Sequence, residues 1–106
     1  MAKYLIQASY TRDGLQGVMK EGGTGRRDAI GKLLAEMGGS MESFHFAFGE
    51  HDAYVVVDVP DNVSAAAIGM AVGASGAATT KTIVLITPEE IDAATKKTVP
   101  YRPPGA

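Results

Sequence analysis

The stretch from Met41 to Val59, MESFHFAFGEHDAYVVVDV, restricts most what this chain can fold into, because it reads as two short strands apolar on both faces. Alternation puts Phe44, Phe46 and Phe48 on one side of the first strand and Met41, His45 and Ala47 on the other, while Tyr54-Val55-Val56-Val57 fills both sides of the second. An antiparallel sheet with only one covered face alternates apolar with polar residues instead. The second face therefore needs a cover. In a chain of 106 residues, the length of one domain, the expected cover is another copy of the protein.

Lys3 to Tyr10 reads as the first strand, with Tyr4, Ile6 and Ala8 on one face and Leu5, Gln7 and Ser9 on the other. Thr11 caps a helical stretch of two pieces. Leu15, Val18 and Met19 recur at helical spacing in the first piece, Gly22-Gly23-Thr24-Gly25 interrupts, and Ile30, Leu33, Leu34 and Met37 repeat at i, i+3, i+4 and i+7 before Gly38-Gly39 stops the second. After the hairpin, Pro60-Asp61-Asn62 opens a further helix whose small-residue face (Val63, Ala66, Ala67, Met70, Ala71) suits close packing on a sheet, and Gly73 to Gly76 closes it. Ala78 to Thr87 is the fourth strand. Thr87-Pro88-Glu89-Glu90 is a helix start with threonine at the cap, proline at the first helical position and glutamate placed to return a hydrogen bond. The helix runs to about Lys97, and the proline-rich remainder cannot be helical.

This order predicts an α+β, ferredoxin-like βαββαβ fold with a split first helix and an appended C-terminal helix, residues 1–98 forming the domain and 99–106 an extended tail. Such a sheet carries its helices on one face. Two copies stacked through the other face give a dimeric α/β barrel.

Several classes of function are disfavoured at this level. A net charge of -2 and a pI near 5.6 offer no general attraction for nucleic acid or anionic membrane. Cysteine is absent, which removes disulfides, thiolate catalysis and thiolate-bound metal. The N-terminus enters strand alternation directly and no apolar run approaches the roughly 20 residues of a membrane span, so the expectation is a cytoplasmic protein.

The segments YLIQASYT, KEGGTGRR, FAFGEHDAYVVVDVPDNVSAA and KTIVLITPEEIDAATKKTVPYRPPGA resemble the GYD-domain family, small bacterial proteins named for a Gly-Tyr-Asp signature. The corresponding stretch here is Gly49-Glu50-His51-Asp52, with histidine where the name leads one to expect tyrosine. The resemblance implies a ferredoxin-like dimeric α/β barrel and brings with it no settled activity or cofactor.

Among chemically capable residues, His45 faces away from the phenylalanines and so points between stacked sheets, where an imidazole acts as a general base, holds a ligand, or is simply hydrogen-bonded in an interface. Gln7, Tyr54 and Thr82, with Ser9 and Thr80, are expected to line the same space and form a small-molecule site. Asp52 is expected to shape the hairpin turn by accepting from backbone amides, with His51 at the rim. Lys20, Arg26 and Arg27 flank the glycine-rich break, which reads either as a helix kink or oligomer contact or as a weak anion site. The two histidines lack metal-ligand spacing, so no metal is expected. Two functional readings remain: a homo-oligomer that binds a small molecule at the sheet interface, with His45 the candidate catalytic group, or a structural or regulatory assembly module without chemistry. The extended tail, Val99 to Ala106, suits an intermolecular anchor.

Overall fold

Alternation along Ala53–Val59 sorts the molecule into two sides. Ala53, Val55, Val57 and Val59 are buried, whereas Tyr54, Val56 and Asp58 between them are only half-buried on the opposite face. The computed structural model covers residues 1–106 and comprises β1 (Ala2–Tyr10), α1 (Arg12–Glu21), α2 (Gly23–Glu36), β2 (Ser40–Phe46), β3 (Ala53–Val59), α3 (Asn62–Ala74), β4 (Ala78–Leu85) and α4 (Pro88–Thr95). The strands form one antiparallel sheet in the order β2-β3-β1-β4, and the fold is α+β and ferredoxin-like. No helix is long and apolar enough to cross a membrane.

The core lies on one side of the sheet, where Tyr4, Val55, Val57 and Val59 meet Leu34 of α2 and Ala65 and Ile68 of α3. The Tyr4 hydroxyl donates to Asn62 Oδ1, tying the first strand to the start of α3. Asp61 caps that helix by accepting from Ser64 N at 2.8 Å, and this hydrogen bond holds its carboxyl below the ordinary value of 3.8. The associated stability is present above about pH 4 and is lost as the pH falls through the lowered value.

Five expectations from the sequence need correction. Met41 does not share a face with His45: the register skips between Met41 and Ser43, so Met41 opposes Val57 and packs against the core. A bulge of one residue reverses the parity of everything before it. The bulged Glu42 instead meets Lys3, whose Nζ lies 2.9 Å from it and 3.1 Å from Asp58, and these hydrogen bonds raise the lysine pKa. Phe48 falls beyond the strand and is exposed, while Phe44 and Phe46 stay on the helix side with ring centroids 5.1 Å apart.

The glycine-rich interruption is one residue rather than four. Gly22, at φ +85°, ends α1 by donating its N–H to Val18 O, and α2 begins at Gly23, over which the Phe46 ring sits too closely for a larger residue to enter freely. The expected inner faces of α1 and α3 are in large part the outer ones. Leu15 and Met19 of α1 and Val63 and Met70 of α3 are exposed, and the helices turn Gly14, Val18, Ala65, Ile68 and Val72 inward. An almost wholly apolar helix such as α3 has no stripe to select its buried side. Finally, β4 stops at Leu85, leaving Thr87 free to cap α4 through the expected capping box with Glu90.

Gly14 is where α1 touches the chain beneath it, since a Cβ there would overlap the carbonyl oxygen of Ala77. Gly17, one turn on, has nothing within 4 Å of its would-be Cβ. Gly14→Ala should therefore exceed the usual overpacking cost of about 1–3 kcal/mol, whereas Gly17→Ala should gain about 1 kcal/mol of helix propensity. Thermal denaturation of the two variants checks this: opposite signs are expected within one helix.

Candidate functional site

Small residues turned inward leave space that large ones would have filled. Between α1, α2, α3 and the sheet lies a cavity of about 490 Å³, floored by Ile6, Ala8, Val55 and Thr80 and roofed by Val18, Ile30, Ile68 and Val72. Gly14, Gly17 and Gly69 belong to its lining, so backbone forms part of the wall on α1 and α3. Most of the remainder is apolar.

The polar groups of the cavity include Tyr10 at the end of β1, Glu21 at the end of α1 and Arg26 in the first turn of α2. Arg26 Nη1 lies 3.5 Å from Glu21 Oε2, a partly exposed ion pair. Burial pushes the Tyr10 phenol above its ordinary value of 10.0, with Arg26 pulling the other way and Asp52 and Glu21 adding to the rise. Near neutral pH this phenol is protonated and able to donate. The chain thus joins an apolar chamber to a hydroxyl donor and the Arg26–Glu21 ion pair, with Asp13 also at the wall, groups able to hold one polar end of an otherwise apolar molecule.

The opposite face of the sheet has a different character, and pairing register lays its side chains out in rows. Ser43, Val56, Leu5 and Ile83 stand in one row across β2, β3, β1 and β4, and His45, Tyr54, Gln7 and Lys81 stand in the next. Three of the four residues expected to share a site, Gln7, His45 and Tyr54, therefore do share one row. Thr82 does not: it pairs with Ile6, lies on the helix side, and lines the cavity together with Thr80. His45 is exposed, and none of the row's residues lines the cavity.

At the end of this face the hairpin turn brings in His51, which is buried. Its Nδ1 lies 3.1 Å from Ser9 Oγ, and its ring meets Tyr54 edge-on at 6.0 Å between centroids. A hydroxyl beside an imidazole has the first contact of a nucleophile and base. The third group is missing, because Glu50 is 3.9 Å from Nε2 and extends into solvent. Asp52 accepts from Tyr10 N at 2.8 Å, and its own N–H and C=O bond Ala8 O and Ala47 N, so it holds the turn against β1.

The basic residues around Gly22 do not converge on one point. Arg26 pairs with Glu21, Arg27 lies 3.1 Å from Asp28 beside a shallow hollow formed with Thr24 and Phe46, and Lys20 sits exposed in the last turn of α1. No group of three or more His, Asp or Glu side chains comes together in metal-binding proximity. The residues that reading the sequence missed are Tyr10, Glu21, Ile68 and Val72. A signal for them existed in Gly14 and Gly17, three apart on one face of α1, and Gly69 in α3, all at positions where a packed helix would carry bulk.

Compared with known families, residues 4–95 match the model of the GYD domain. No curated protein and no solved structure matches the chain.

The raised phenol makes a prediction for alkaline pH. Because the folded state holds the Tyr10 proton more tightly than the unfolded chain, its contribution is complete below about pH 10 and declines as the pH rises through the higher folded value. Spectrophotometric titration of phenolate should show a component ionising above pH 10 that Tyr10→Phe removes, and the variant should lose less stability than the parent over that interval.

Proposed function

The chain belongs to the GYD-domain family, and from that premise we propose that it is a small-molecule-binding module whose site is the cavity between helices and sheet, presented by a homodimer stacked through the open sheet faces. The observation that carries this reading is the cavity itself. Its volume of about 490 Å³ lies within the range of small-molecule sites, and its lining combines an apolar body with few polar groups. The ligand that suits it is compact and largely apolar, with one polar end near Tyr10 and Arg26.

The dimer rests on the rows of the open face. Val56, Leu5 and Ile83 form an apolar band that no element of the same chain covers, bordered by the polar row of His45, Tyr54, Gln7 and Lys81. A face of this kind is suited to a second copy of itself, which would make the polar row a seam of the resulting α/β barrel. The alternative site, at that seam with His45 as its leading group, is favoured by the alignment of Gln7, Tyr54 and His45. The alternative without any ligand is a structural assembly module.

One set of titrations separates these readings, using anilinonaphthalene sulfonate as an apolar, anionic fluorescent probe. Gly69→Leu places bulk in the cavity from a position whose Cβ has ordinary contact distance to Thr80, at 3.7 Å. The expected result is one probe per chain, bound at least tenfold more weakly by Gly69→Leu and equally well by His45→Phe. Loss in His45→Phe alone would move the site to the seam, and no saturable binding would leave the assembly module. Val56→Lys should convert the dimer to a folded monomer in sedimentation, because it sets a charge in the apolar band; a persistent dimer would refute stacking through this face.

A further inference from the structure

From Ile86 onward the chain leaves its own fold. Every residue from Ile86 to Ala106 is exposed, although this stretch contains a complete helix, α4, with a capping box at its start. The molecule measures 57 × 32 × 24 Å with a Cα radius of gyration of 17.0 Å, against about 13 Å for a compact chain of this length. An eight-residue helix alone in water is marginal, since isolated helices below about 12–15 residues seldom hold. The arm carries apolar side chains that solvent does not reward: Ile86, Ile91, Val99 and Tyr101 are at least half exposed.

Only Ile86 and Thr87 separate the last residue of β4 from the first of α4, a link as short as the capped one between β3 and α3, yet α3 packs on the sheet and α4 does not. The strand from which it departs belongs to the same sheet whose open face lacks a cover. Four strands about 4.8 Å apart and about 26 Å long offer a footprint near 500 Å², while a stable complex buries about 800 Å² on each partner. The shortfall is about 300 Å² per chain, an area that a tyrosine and three aliphatic side chains on each arm can supply.

We infer that the segment Ile86–Ala106 is an exchanged arm, which crosses from each chain onto a second copy and completes an interface that the sheet face alone leaves too small. The inference rests on the dimer proposed above and adds to it the element that makes the dimer tight. Ile91 and Tyr101 are the anchors, the first on the helix and the second on a segment stiffened by Pro100, Pro103 and Pro104. The arm orders on its partner, so α4 is stable in the dimer and frays in the monomer.

Hydrogen exchange of the α4 amides, followed with sedimentation across a dilution series of the full chain, tests this directly. Expected is slowing of at least tenfold at concentrations where the chain is dimeric, lost when dilution yields monomer. A double variant, Ile91→Asp with Tyr101→Ser, should raise the dimer dissociation constant at least tenfold while leaving the exchange of β1 and β3 in the dimer unchanged. A dimer with unprotected α4 overturns the arm and leaves the sheet-face dimer standing. Protection that persists in the monomer overturns it too, by showing that the helix is held within its own chain. A full chain that is monomeric at every concentration removes the underlying dimer and the arm with it, whereas a dimer that survives Val56→Lys but loses α4 protection on dilution removes only the stacking through the sheet face.

Discussion

Everything in this molecule follows from β3 having apolar side chains on both of its faces. A strand cannot turn both sets of side chains to the same side. Ala53, Val55, Val57 and Val59 therefore go under the helices, and Tyr54 and Val56 go to the other side together with their cross-strand neighbours Gln7 and Leu5. Because β3 pairs with both β1 and β2, its division is imposed on its neighbours, and the edge strand β4 inherits it through β1. The helix-side cavity and the open face are two consequences of one alternation.

The two sides are nevertheless finished differently. On the helix side, α1 approaches closely at Gly14 and α3 presents Ala65 and Gly69, while the bulky Leu15, Met19, Val63 and Met70 point outward. Protein interiors are normally filled to crystal-like density, so an apolar hollow of about 490 Å³ that opens partly to solvent leaves packing contacts unmade along its walls. A ligand that entered such a chamber would supply the missing contacts, and that is the physical basis for the proposed site. On the open side the band of Leu5, Val56 and Ile83 has no cover within the chain, and the C-terminal arm adds Ile86, Ile91, Val99 and Tyr101 to the exposed apolar surface.

Much of the fold was legible in the sequence because its signals are local. Alternation marked the strands, Thr87-Pro88-Glu89-Glu90 marked the start of α4, and Asp52 was recognised as a turn residue from its position beside a glycine-containing hairpin. The errors arose where a local pattern has no unique tertiary meaning. Parity counting cannot detect a bulge, so it places Met41 on the wrong face, and an apolar helix does not announce its inner side, so the pattern of α3 points to its outer face. Thr82 and Gln7 differ in parity once β1 and β4 are in register, which the sequence of either strand alone does not reveal. The cavity was illegible for a deeper reason: empty space depends on what several helices fail to fill, and only the unexplained glycines of α1 and α3 hinted at it.

The central claim is that the apolar space a ligand can enter lies under the helices and not at the seam between sheets. Diffraction from crystals held under xenon pressure tests it most directly, because xenon occupies dry apolar cavities without requiring hydrogen bonds or charge. The account predicts xenon density between Val18, Ile68 and Val72, reduced or absent in a chain whose Gly69 has been replaced by leucine. Density confined to the open face beside Leu5, Val56 and Ile83, with none beneath α1 and α3, would contradict it.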